Sequence, residues 1–244
     1  MLSAAGFATL LQHPSSPAAI FHLLPIAKRA VMGAAMGATA IALIYSPWGA
    51  RSGAHMNPAV TLAFLRLGKI SPADAAGYIG GQFIGGTLGI AVATALYRGL
   101  PANPAVNYVA TLPGRTGSAA AFAAEATIAF LMMSAVLISS NSLRVARFTG
   151  VIAGVLVAVF ILVEAPLSGM SMNPARTLGS NLLAHAAASL WIYFTAPPLG
   201  MLLAAECAHR LGHASRVRCA KLHHPTNVPC IFRCGYAQPS EESV

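Results

Sequence analysis

The chain has 244 residues, 56% of them hydrophobic and only 9% charged, with a mean hydropathy of +0.66; a soluble all-α protein does not carry so few charges on so apolar a chain. Its formal net charge of +9 does not describe a nucleic-acid binder either, because the Lys and Arg residues are scattered through loops rather than gathered into one patch with interleaved aromatics. What remains is a polytopic membrane protein, an all-α chain in which apolar stretches of about 20 residues, each long enough to cross a bilayer, recur with Asp74 and Glu125 as the only acids before Glu164.

Residues 1–11 are apolar but too few to cross a hydrocarbon core, and Gln12, His13, Pro14 and Pro17 end the run. No Lys or Arg precedes Gln12, so a secretory leader is not indicated, and the segment reads as a shortened first span. Five full spans follow: Ala30 to Trp48, Ala73 to Tyr97, Ala119 to Ser139, Phe148 to Val163 and Ser189 to Cys207. In the second of them Gly77, Gly81, Gly85 and Gly89 recur at four-residue intervals, a stripe that predicts close approach of a neighbouring helix. Glu164, just before Ala165 and Pro166, reads as a solvated charge at the outer mouth. Arg66, Lys69, Arg144 and Arg147 in two loops, with Arg210, Arg216, Arg218, Lys221 and Arg233 in the tail, predict that these segments and the C-terminus face the cytoplasm.

Between the spans stand two related segments, Ser52 to Leu62 (SGAHMNPAVTL) and Ser168 to Leu178 (SGMSMNPARTL), identical at eight of eleven positions. Each leads into an apolar run of about two helical turns, too short to span. An odd number of spans separates the copies, so they enter from opposite faces as two re-entrant half-helices, the pattern of an inverted repeat with its site near the midplane. Pro58 and Pro174 fit the first helical turn and Asn57 and Asn173 the N-cap before it. Both positive helix ends then meet at the bilayer centre, where the asparagine amides offer donors to a neutral solute and the dipoles repel cations. A third Asn-Pro-Ala, Asn103 to Ala105, lacks the Ser-Gly and any following half-helix and reads as a turn.

The paired motifs, the second extended to Asn173-Pro174-Ala175-Arg176, resemble the aquaporin and aquaglyceroporin family over about residues 1–212. The resemblance implies an aquaporin-like helical bundle that passes water or small neutral solutes, assembles as a homotetramer and requires no cofactor. It implies that Arg176 lines the outer constriction, joined by Met170, Ile161 and either Gly37 or Met36, because the stretch from Tyr45 to Asn57 is one residue longer than usual. Water-selective members place a histidine opposite the arginine; this set is wider and more apolar, which points to glycerol-like solutes. The resemblance also makes Pro58, Ala59, Pro174, Ala175 and His55 part of the motif scaffold. It gives Glu125 the role of hydrogen-bond acceptor for the second re-entrant loop, and the matching acid on the first span is missing here.

Two other classes compete. A secondary transporter needs a coupling-ion site, for which only Glu125 lies deep in the membrane, and an enzyme needs converging nucleophile, base or metal ligands that the spans lack. A non-conducting structural member of the same fold is the third possibility, suggested by the short first span. Residues 213–244 form a separate tail. Its Cys219, His223, His224, Cys230 and Cys234 are soft ligands in a C-x3-H-H-x5-C-x3-C pattern, with Cys219, His223, Cys230 and Cys234 taken as a zinc set; the alternative is a reduced tail with incidental cysteines.

Overall fold

The computed structural model describes residues 1–17, 23–142, 144–212, 217–224, 230–232 and 234. The tail residues Arg216 and Arg233, counted above among the basic charges, lie outside that set, as does most of 213–244. Ten α-helices follow one another among the described residues: α1 (Leu2–Gln12), α2 (Pro25–Tyr45), α3 (Pro47–Ser52), α4 (Pro58–Arg66), α5 (Pro72–Leu96), α6 (Gly117–Ser140), α7 (Thr149–Val163), α8 (Ala165–Ser168), α9 (Pro174–Leu183) and α10 (Leu190–Arg210). Five helical stretches are long and apolar enough to cross a membrane.

Proline and capping side chains set the helix ends. α2 begins at Pro25, five residues before the predicted start, and stops at Tyr45 rather than Trp48, because Ser46 caps a new helix with Pro47 in its first turn and its Oγ accepts from Gly49 N at 3.0 Å. Ser71 caps α5 in the same way.

The two halves interlock. The first half-helix, α4, packs against α10 of the second half, while the second half-helix, α9, packs against α5 of the first; α2 pairs with α7 and α6 with α10. Small residues make these contacts possible. A Cβ on Gly37 would lie 2.4 Å from Gly154 O, one on Gly86 2.5 Å from Ala175 O, and one on Gly200 2.2 Å from Ala126 O. Without a hydrophobic drive between helices in lipid, such backbone proximity is what van der Waals packing requires.

The glycine stripe of α5 behaves differently from its prediction. A Cβ on Gly77, Gly81 or Gly85 would meet nothing within 4 Å, and only Gly89 is covered, by Met1. The reason is length: α1 has eleven residues, about 16 Å of helix, and covers only the half of α5 that bears Gly89, Ala93 and Tyr97. Glu164 also departs from its expected place. The chain turns directly from α7 into α8, with Leu167 N donating to Glu164 O at 2.7 Å, which folds the side chain inward to 4% exposure. Asn103 to Ala105 is a turn, closed by Val106 N and Asn107 N on Asn103 O.

Candidate pore site

The two half-helices start where the sequence puts their caps. Asn57 Oδ1 accepts from Ala59 N at 2.9 Å, and Asn173 Oδ1 accepts from Ala175 N at 3.0 Å and Arg176 N at 3.2 Å. Pro58 and Pro174 occupy first-turn positions whose missing N–H costs nothing there. Each asparagine amide then reaches across to the other loop: Asn57 Nδ2 donates to Met172 O at 2.6 Å and Asn173 Nδ2 to Met56 O at 2.8 Å. The helix tips therefore meet. An amide nitrogen carries two protons, so each side chain keeps one N–H beyond the cross-loop bond.

Glu125 anchors the second re-entrant loop from α6. Fully buried, it accepts from Ser168 Oγ at 2.7 Å, Ser171 N at 2.6 Å and Met172 N at 2.7 Å. Those bonds hold a backbone that the residues disfavour, since Met170 and Met172 both have positive φ, at 50° and 53°. Tyr193 of α10 adds a donor to Ser168 O at 2.5 Å, and the buried Asn181 binds both the N–H and the carbonyl of Thr111 to fasten the overlying loop.

Among the described residues no acid bonds the first re-entrant loop, and other groups hold it. Gln82 Nε2 of α5 donates to His55 O at 2.6 Å and Thr61 Oγ1 at 3.0 Å, and Tyr78 OH donates to Ser52 O at 2.7 Å. The tail does the rest. His55 Nε2 lies 2.7 Å from Ala220 O, which can only accept, so this nitrogen carries the proton; Leu222 N donates to Gly53 O at 3.2 Å. His55 also stacks on Phe64 at 5.2 Å and on Phe232 of the tail at 5.8 Å. Gln82, a lone amide in a run of small apolar residues, was the sequence signal for this role; Phe232 and Tyr193 gave none.

Of the expected constriction set, Met36, Ile161 and Met170 belong to one apolar cluster, with Ile161 9% and Met170 7% exposed. Gly37 has its bare face pressed against the α7 backbone at Gly154, and Met36 packs against the same apolar cluster from α2. Arg176 has a buried Nη1 that meets no hydrogen-bond partner. With Asn173, Met56, His55, Gln82 and Met1 it lines a cavity of about 540 Å³ that continues along the uncovered glycines of α5.

A second constellation lies in the tail. The ligand atoms of Cys219, His224, Cys230 and Cys234 all fall within 4.8 Å of one another, with Cys219 Sγ 3.5 Å from Cys230 Sγ and His224 Nε2 3.3 Å from Cys234 Sγ. The histidine expected there was His223; the structure puts His224 in the cluster instead, because His223 turns away to pack edge-on against Tyr45 at 4.7 Å. Burial holds the Cys219 and Cys230 thiols above their ordinary range.

Residues 5–207 match the family model described as Major intrinsic protein. The chain is 40% identical over 197 residues to a glycerol uptake facilitator protein-like 6 from Lactiplantibacillus plantarum, covering 77% of this chain and 88% of that protein. It is 34% identical over 173 residues to aquaporin NIP6-1 of Arabidopsis thaliana, covering 70% of this chain and 55% of the plant protein. Its fold is shared with the X-ray structure of the aquaglyceroporin from Plasmodium falciparum, with a TM-score of 0.65, 19% identity and coverage of 88% of this chain and 93% of that one. With its two half-helices meeting inside an apolar bundle, the chain belongs to the major intrinsic protein family, integral multi-pass membrane channels for water and small solutes rather than enzymes.

Proposed function

We propose that the protein conducts small neutral solutes of glycerol size, and water with them, passively past the junction of Asn57 and Asn173. The observation that carries this reading is the reciprocal bonding of the two asparagine amides to Met172 and Met56, which aims both half-helix N-termini and one remaining N–H from each amide at a common point. A hydroxyl or water oxygen accepts those protons, whereas a cation meets two positive dipole ends and the charge of Arg176. A proton is excluded because a water oriented by two donors cannot pass it along the file.

Solute size follows from Met36, Ile161, Met170 and Arg176. Three apolar side chains and one guanidinium form a constriction that suits a carbon skeleton on one side and hydroxyls on the other, and the relative from Lactiplantibacillus plantarum bears the name of a glycerol facilitator. A coupled transporter is disfavoured by Glu125, whose carboxylate is engaged by three donors. The open cavity along Gly77 to Gly85 favours a second reading, a non-conducting member of the same fold, since no described helix covers that face of α5.

The same reading places the C-terminus in the cytoplasm, because Arg51, Arg66, Lys69, Arg144 and Arg147 share the tail's end of the bundle against Lys28, Arg29, Arg98 and Arg115 at the other. It takes a homotetramer as the assembly. Passage requires no cofactor, and the one metal in the proposal is zinc on the tail cluster. Fluxes of water, glycerol, urea and arsenite through the chelator-treated, metal-free protein in liposomes test the whole: glycerol flux well above that of empty liposomes and independent of a proton gradient is expected, and equality with empty liposomes establishes the non-conducting reading.

A further inference from the structure

We infer that zinc bound by Cys219, His224, Cys230 and Cys234 staples the tail as a cap across the tail-side mouth of the channel, so that the metal closes the conduit and its removal opens it. The inference rests on the channel reading above, but it concerns residues beyond position 207, where the family match ends.

The ligand set comes first. Zinc prefers three thiolates and one imidazole in a tetrahedron, and bonds of about 2.3 Å put tetrahedral ligands roughly 3.8 Å apart. The four donor atoms, already within 4.8 Å of one another with two pairs at 3.5 and 3.3 Å, need only small shifts to reach that geometry. All of these cysteines are free. The neighbouring Lys221 supplies an independent sign. It is 2% exposed, its buried Nζ has no hydrogen-bond partner among the described residues, and with Cys219 and His224 it lines a cavity of about 110 Å³. A buried ammonium without a counter-charge is costly. A zinc ion with three thiolates and a histidine carries one net negative charge, which is what this ammonium lacks.

Placement of the tail supplies the consequence. The tail meets four elements at this end of the bundle: the end of α2, the first re-entrant loop, the end of α6 and the turn before α7. His223 packs on Tyr45, Leu222 N and Ala220 O bond to Gly53 and His55, Arg218 N donates to Asn141 Oδ1 at 2.9 Å, and the cavity beside the cluster is walled by Arg147. Val217, Ala220, Leu222 and Phe232 are buried in the main apolar cluster of the bundle. Phe232 lies between Cys230 and Cys234 in the chain and stacks on His55, two residues before Asn57, so the two thiols bracket the tail side chain that rests on the first re-entrant loop. A four-ligand metal ties residues on either side of 225–229 to one point and removes the entropy of holding them together.

The test uses the full chain in proteoliposomes. Zinc content is measured directly, and cobalt(II) replaces zinc to report ligation through thiolate charge-transfer and tetrahedral ligand-field bands. One metal per chain is expected, lost in Cys230→Ser/Cys234→Ser. Glycerol flux is expected to rise several-fold on chelation of the wild type, to be high and chelator-insensitive in the double variant, and to be high in Phe232→Ala while that variant still binds metal. Absence of stoichiometric metal from the purified wild type after zinc incubation would overturn the site. Metal binding with equal flux in the loaded, chelated and Phe232→Ala forms would overturn the cap. No flux in any of these forms would instead refute the channel reading, and the cap with it, while the cobalt spectrum still decides the metal site.

Discussion

Asn57 and Asn173 hold each other's loops: Nδ2 of Asn57 donates to Met172 O at 2.6 Å and Nδ2 of Asn173 donates to Met56 O at 2.8 Å, while each Oδ1 caps its own helix. One side chain thus ends a helix and joins two halves of the molecule. Because the halves share these bonds, their losses couple. Asn57→Ala and Asn173→Ala are each expected to cost about 1–3 kcal/mol, from a lost cap and a lost cross-loop hydrogen bond. The double variant is expected to cost less than the sum. Thermal unfolding in detergent measures all three, and strict additivity would show that the half-helices are energetically separate.

Selectivity is expected to follow the apolar side of the constriction. Met36→His with Met170→Phe narrows the site and adds a polar ring where two flexible thioethers stood, so glycerol flux is expected to fall about tenfold, an added barrier near 1.4 kcal/mol, with a smaller effect on water. Stopped-flow light scattering compares the two, and equal loss of both would remove Met36 and Met170 from the constriction.

Glu125 is expected to be intolerant of truncation. Glu125→Ala strips acceptors from Ser168 Oγ, Ser171 N and Met172 N in a fully buried place, and two unsatisfied amides alone cost about 2–6 kcal/mol. Glu125→Gln keeps one acceptor oxygen and is expected to lose less. The melting temperatures of the two variants check the order, and a Glu125→Ala protein as stable as wild type would show that the loop holds its positive-φ methionines without this side chain.

The glycines are expected to divide by neighbour rather than by motif. Gly37→Val presses a branched side chain into Gly154 O and should destabilise by about 1–3 kcal/mol or more. Gly81→Ala places its methyl in open space and should be tolerated. Yield and melting temperature in detergent decide; similar damage from both would mean that the stripe is covered by a partner in the membrane.

Much of this was legible along the chain. The Asn-Pro steps name their own helix starts because capping and a missing N–H are local chemistry, and the copied segment announces two equivalent half-helices. Glu125 stood out because an acid within a span needs partners, although which amides it serves depends on a loop more than forty residues away. Spacing left Gly37 and Met36 as alternatives, since an extra residue before Asn57 shifts the count; that the bare face of Gly37 meets Gly154 depends on how α2 packs on α7. His223 and His224 are adjacent and chemically identical, so the local bend of the tail against Tyr45 decides which meets the thiols.

Composition, periodicity and the repeat alone therefore determined that this chain lies in a membrane, that it folds from two inverted halves, and where each half-helix begins, because all of these depend on groups within a few residues of one another. The tertiary structure decided which side chains share a space. Gln82 and the tail hold the first re-entrant loop in place of an acid, Glu164 folds inward, and Cys219, His224, Cys230 and Cys234 converge beside a buried lysine. Such contacts between residues far apart in the chain are set by how helices pack and turn, a property of the assembled bundle that no local pattern encodes.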